Sequence, residues 1–157
     1  MRPSPVLALV AVLAAAGCSA GGVNPAKLIE PKVSVRTIAV RNVGLAGGTL
    51  EVAFAFHNPN RFSLTGAGLT AALAIEGKKF GDVVLTSPFT LAGTDTTVVT
   101  VPLNFSWSGV GGAARSVLNS GAVNYGVDGS FTVKLPANAG DLAVPFTGSG
   151  MIPLLKP

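Results

Sequence analysis

Thr49-Leu50-Glu51-Val52-Ala53-Phe54-Ala55-Phe56-His57-Asn58-Pro59-Asn60 decides how this chain folds. Leu50, Val52, Phe54 and Phe56 fall on one face and Thr49, Glu51, Ala53, Ala55 and His57 on the other. That period of two is the signature of a half-buried β-strand. Pro59 ends the strand's ladder because it has no N–H to donate, and the flanking asparagines suit a turn by bonding to nearby backbone. The alternation returns over Val98–Trp107, with Val99, Val101, Leu103, Phe105 and Trp107 inward. It returns again over Val123–Leu135, where Gly129 interrupts the shared parity of Val123, Tyr125, Val127, Phe131, Val133 and Leu135. A glycine inside such a run predicts a bulge or bend through which one long strand serves two sheets or curves around a core.

Shorter strands are predicted at Val33–Val43, Leu69–Ile75, Phe80–Leu85 and Leu142–Ile152, with Glu76-Gly77-Lys78 as a hairpin turn between two of them. One helix is predicted over Val110–Asn119, opened by Ser108 as N-cap and stopped by Gly121. Its Gly111-Gly112 pair weakens it, so Val110, Ala114, Val117 and Leu118 must hold it by packing. Many strands separated by turn signals, with a single short helix, predict a mainly β domain: an antiparallel β-sandwich of about seven strands.

Ahead of this domain stands an apolar leader. Arg2 supplies a positive start, Val6–Ala16 is an uncharged run of Val, Leu and Ala, and small residues lead to Cys18, the only cysteine. The run is about half the roughly 20 residues that a membrane-spanning helix needs, but it fits a secretory signal. A leader closing on small residues and then Cys predicts a lipoprotein signal over residues 1–17, with lipid carried by Cys18. Ala15 stands where such signals usually carry Leu; the alternative is an ordinary secretory leader that leaves Cys18 idle. Residues 18–27 read as the lipidated Cys and a flexible tether rich in small residues, and residues 28–157 as the folded domain. Export follows under both readings, on the periplasmic side of a membrane in the first, and on the outer membrane if the envelope is Gram-negative.

Composition narrows the function classes. With 48% apolar residues against 11% charged, the chain has the balance of a folded domain and not of a disordered tail. The net charge of +4 falls by one when Arg2 leaves with the leader, and the remaining Lys and Arg are scattered. A nucleic-acid partner is therefore not expected, since such binding needs basic residues gathered on one face.

The quoted stretch also carries a resemblance. Leu28-Ile29-Glu30-Pro31-Lys32-Val33, then Leu50 through Asn60, Leu64, Ile75-Glu76-Gly77-Lys78 with Gly81, Val99-Thr100-Val101-Pro102-Leu103, Tyr125-Gly126-Val127-Asp128-Gly129 and Val144-Pro145-Phe146-Thr147-Gly148-Ser149-Gly150 stand in an order and spacing that resembles the late embryogenesis abundant type 2 family, whose domain is also called the water stress and hypersensitive response domain. The resemblance covers nearly the whole domain. It implies an immunoglobulin-like or fibronectin-like sandwich with one helix, an association with desiccation and other stress, and no catalytic site. Ala71 and Ala72 depart from it, standing where the family often places an aromatic. A positive mean hydropathy and period-two strands predict a domain already folded in water, unlike the hydrophilic proteins that share the family's general name.

Few residues suit chemistry. Asn58-Pro59-Asn60 has a sufficient explanation as a structural turn. His57 is the only histidine and lies on the polar face of its strand, whereas a metal site wants several ligands and a catalytic triad wants an activated nucleophile beside the ring. Gly148-Ser149-Gly150 is the nearest approach to a nucleophile elbow, but it sits in a terminal strand with no helix following. Glu30, Glu51, Glu76, Asp82, Asp95, Asp128 and Asp141 make no close pair for acid–base work. Lys78 and Lys79 suit protection of a strand edge, and Trp107 suits the core. No catalytic residue, metal site or cofactor is predicted. The expected role is that of a non-enzymatic, lipid-anchored envelope protein; the alternative is a periplasmic adaptor or assembly subunit that binds one dedicated protein partner.

Overall fold

Leu50, Val52, Phe54 and Phe56 are all fully buried, and they draw the strand that carries them into the centre of the molecule. The computed structural model describes residues 27–110 and 117–155. In chain order it shows β1 (Lys32–Val43), β2 (Gly47–His57), β3 (Leu64–Ile75), β4 (Lys78–Leu85), β5 (Phe89–Leu91), β6 (Thr96–Ser106), α1 (Trp107–Val110), β7 (Ala122–Lys134), a 3-10 turn at Pro136–Asn138 and β8 (Asp141–Leu155). The leader, Cys18 and most of the tether lie outside the described residues.

The strands follow one hydrogen-bonded path, β4-β3-β7-β8-β1-β2-β6, with β5 also on β3. Its two ends meet across the core: Phe80 of β4 and Phe105 of β6 pack edge to face with ring centroids 5.4 Å apart. The result is a nearly closed, barrel-like sheet around Phe54, Phe56 and Phe131.

This corrects the expectation of about seven antiparallel strands. Eight are described, and the seam between β1 and β8 is parallel, at Ile38↔Leu154 and Ala39↔Leu155. The cause is length: β8 pairs with β7 up to Pro153, and its last two residues run on to reach β1. β5 was not foreseen, because three residues are too few to show a period.

Gly129 makes no bulge in its ladders. β7 runs unbroken, and its register with β8 has no shift from Ala122↔Pro153 to Lys134↔Asp141. A side chain is excluded there by proximity: a Cβ on Gly129 would lie 2.3 Å from the Thr70 carbonyl oxygen and 2.6 Å from the Ala71 Cβ. Ala71 is buried directly opposite Gly129, and on the other side Phe146 faces Gly129. The Phe146 ring packs against Phe54 and Phe131, each 6.2 Å away between centroids.

The helix also begins earlier than predicted. Ser106, the last residue of β6, accepts a hydrogen bond from the Gly109 N–H (3.2 Å) and is the N-cap, so Ser108 lies inside the first turn. Val117 and Leu118 are helical again. Trp107, expected as an inward strand residue, opens α1; its indole N–H donates to the Gly44 carbonyl (2.8 Å) and its ring meets Phe105 edge to face. The hairpin at Glu76-Gly77 is as predicted, a two-residue turn between Ile75 and Lys78 with both φ angles positive, +50° and +75°.

Candidate functional site

Polar chemistry inside this domain gathers at one place. Asn58 and Asn60 are 0% and 5% exposed and are the buried polar residues among those described. Pro59 stands between them because a residue without an N–H releases the chain from the β2–β6 ladder after Asn58, whose own N–H still bonds the Asp95 carbonyl (3.0 Å). The turn that follows carries both amide side chains inward.

Asn58 uses its full capacity. Its amide nitrogen donates to the carbonyls of Phe62 (2.9 Å) and Leu91 (3.1 Å), and its amide oxygen accepts from the backbone N–H and side-chain amide of Asn60, both at 3.0 Å. Two donors and two lone pairs are all that an amide side chain has. Asn60 reaches the other way, to the segment before β1: its amide nitrogen donates to the Ile29 carbonyl (2.7 Å) and its amide oxygen accepts the Ile29 N–H (2.9 Å). The side chain thereby stands in for a strand neighbour. Its backbone carbonyl accepts from Thr94 N–H (2.8 Å), and Thr94 is held at a φ of +55°, a left-handed conformation that a β-branched residue rarely adopts. Gly93 beside it lies so near Arg61 that a Cβ would stand 2.8 Å from the Arg61 carbonyl carbon.

Three segments, at Ile29, Asn58–Phe62 and Leu91, are therefore tied together by two amides. With Asn58 buried and its hydrogen bonds filled, no polar atom of that side chain is left to meet a ligand. Sequence reasoning identified the turn but not its partners; Ile29 and Leu91 lie 31 and 33 positions from the asparagines that bind them.

The remaining candidates are dispersed. His57 is exposed, with Nδ1 3.2 Å from the Thr96 hydroxyl. Glu51 pairs with Arg41 (2.6 Å) and Asp82 with Lys79 (3.0 Å); Asp95 accepts the Thr96 N–H (2.7 Å), and Glu76 accepts the Asn124 N–H (2.7 Å). Each is occupied by a local structural contact. Ser149 stands on the outside of β8, without a histidine near it in the ladder. Among the described residues no three His, Cys, Asp or Glu side chains gather in metal-binding geometry, and no helix is long and apolar enough to cross a membrane. Among the described residues the surface depressions are open to solvent; one, about 310 Å³, is lined by Ala72, Leu73, Ala74, Lys79, Val127 and Asp128.

The comparisons with known proteins follow the same lines. The solution structure of AT1g01470 from Arabidopsis thaliana superposes with a TM-score of 0.65 over 88% of this chain and 92% of that one, at 20% identity. A putative late embryogenesis abundant protein, At2g46140.1, superposes at 0.56 over 83% of this chain and 74% of that one, at 21% identity. At these identities the likeness is one of fold. No curated protein matches the chain. The sequence profile described as late embryogenesis abundant protein matches residues 53–150, from the middle of β2 through the body of β8, and by that match the chain belongs to the late embryogenesis abundant type 2 family.

Proposed function

We propose that this chain is a non-enzymatic protein of the cell envelope, anchored by lipid on Cys18 and associated with water stress, which acts through a folded surface that binds or shields other envelope components. Membership of the late embryogenesis abundant type 2 family supports the association with water stress. The anchor is supported by the leader, an apolar run over Val6–Ala16 followed by small residues and Cys18.

The observation that carries this reading is the pairing of Asn60 with Ile29. It holds Ile29 at the end of the barrel where β2 finishes, which supports a reading in which a short tether turns that end toward the membrane. Eight residues separate Cys18 from Lys27, a reach of about 30 Å when fully extended. That holds the domain close to the surface.

Mass spectrometry of the mature N-terminus tests the anchor: a diacylated or triacylated Cys18 is expected, and processing is expected to stop under globomycin. An unmodified Cys18 would make the protein a soluble exported domain. The role is tested separately, by survival of a deletion strain through drying and osmotic shock. Survival equal to the parent's would remove it.

A further inference from the structure

We infer that the notch around Gly68, on the outer face of β3 and β7, binds a small neutral polyhydroxy molecule: a polyol or a monosaccharide. The notch exists because β3 loses its neighbour there. β4 pairs with β3 only as far as Leu69↔Leu85 and β5 takes over at Gly66↔Phe89, so Ala67 and Gly68 have no ladder partner on that side. On the other side β3 shifts its register against β7 between Gly66 and Gly68. Gly68 contributes no side chain, and the space left is about 250 Å³. A Cβ at Gly68 would approach the Leu85 carbonyl oxygen at 3.2 Å and nothing else within contact distance, so the notch is open for want of a side chain.

Its lining decides what it takes. Thr70 and Ser130 stand opposite each other in one row of the β3–β7 ladder, and in the next row Thr132 stands opposite Gly68. Thr86, just past the end of β4, lines the far side. Neighbouring strands lie about 5 Å apart and alternate residues about 7 Å apart, so the four hydroxyls frame an area of roughly 10 by 7 Å. That is the scale on which a six-carbon chain or ring carries its own hydroxyls.

None of the four hydroxyls is hydrogen-bonded to another described residue. Those of Thr49, Thr96 and Thr97, by contrast, are engaged by Asn104 (2.8 Å), His57 (3.2 Å) and the Thr90 carbonyl (3.3 Å). A hydroxyl both donates and accepts, and its natural complement is another group that does the same, an alcohol. A charged ligand gains no partner, because no Lys, Arg, Asp or Glu lines the notch. Val84 and Leu85 add an aliphatic wall for the C–H face of the ligand. The space lies just below the range of pockets for drug-sized ligands, which limits it to one small molecule. This inference does not rest on the anchor or on the role proposed above.

Amide NMR titration of the isotope-labelled full chain, in a detergent without a sugar headgroup, tests it with sorbitol and glucose as separate probes. Saturable shifts centred on Gly68, Thr86, Ser130 and Thr132 are expected with at least one probe, and the one that binds tighter shows whether the site prefers an open chain or a ring. The dissociation constant is expected on the order of millimolar, since each neutral hydrogen bond replaces one to water. Thr70→Val with Thr132→Val removes two hydroxyls and keeps branched side chains that suit a strand; it is expected to weaken binding about tenfold. Thr86→Ala with Ser130→Ala is expected to do the same and decides the matter if the valine variant does not fold. Shifts that rise linearly without saturation for both probes, or an unchanged affinity in the folded variants, would overturn the inference.

Discussion

The two ends of the barrel are closed by opposite means. At the end where β2 finishes and β6 begins, Asn58 and Asn60 bind three segments through buried, hydrogen-bonded amides. At the other end, where β2 begins and β6 finishes, closure is aromatic: Phe80, Phe105 and Trp107 stack edge to face, with centroids 5.4 and 5.1 Å apart. There the β1–β2 hairpin leaves Val43 and Leu45 exposed at 51% and 92%. The difference teaches how cost is distributed. A buried amide stabilises only while every partner is in place, since an orphaned polar group costs more than the hydrogen bond contributed, whereas aromatic packing loses stability in proportion to the contact removed.

The largest expected effect breaks the aromatic end. Phe105→Ala should cost about 3–5 kcal/mol, because it removes the ring between Phe80 and Trp107 and leaves a cavity where β4 meets β6. Urea denaturation measures it; a loss under about 1 kcal/mol would mean that the path's ends do not need to meet.

Next comes the polar end. Asn58→Ala should cost about 2–4 kcal/mol, since it orphans the Phe62 and Leu91 carbonyls and the Asn60 amide together. Asn58→Leu, which keeps the volume, should be no better. Rescue by Leu would show that the site is held by packing and would erase the contrast between the ends.

Asn60→Ala sharpens the comparison by separating local from global stability. We expect a global loss of about 1–3 kcal/mol, with amide exchange at Ile29 accelerated far more than at Ile38 in the middle of β1. Equal acceleration at both positions would show that Asn60 does not pin the lead-in segment separately. The smallest effect belongs to Trp107→Phe, which keeps a ring against Phe105 but loses the indole bond to Gly44. About 1 kcal/mol is expected in thermal melts, with no change at Ile29.

Legibility differed between these ends for a physical reason. The strands of the core could be read because burial on one face writes a period of two into consecutive residues, and that pattern is local. The asparagine turn could be read as a turn, since Pro59 and amide side chains have local preferences. Its role as a clamp could not, because the amides' partners are the backbone carbonyls of Ile29, Phe62 and Leu91, and a carbonyl carries no residue identity. The reason for Gly129 was hidden in a related way. What excludes a side chain there is Thr70 and Ala71 on a neighbouring strand, and its ladders carry no bulge. Ser106 was missed as the cap because the strand pattern runs through it into Trp107.

By itself the sequence determined that this is a folded β domain preceded by an apolar stretch, which residues face its core, and which family it resembles. Each of these is a property of residue order along a single stretch of chain. Only the tertiary structure decided that the strands close into one barrel-like path with a parallel seam, and that two amides tie the end where β2 finishes. Those depend on which strands lie side by side, and hydrogen-bond pairing between distant segments is set by the free energy of the whole core.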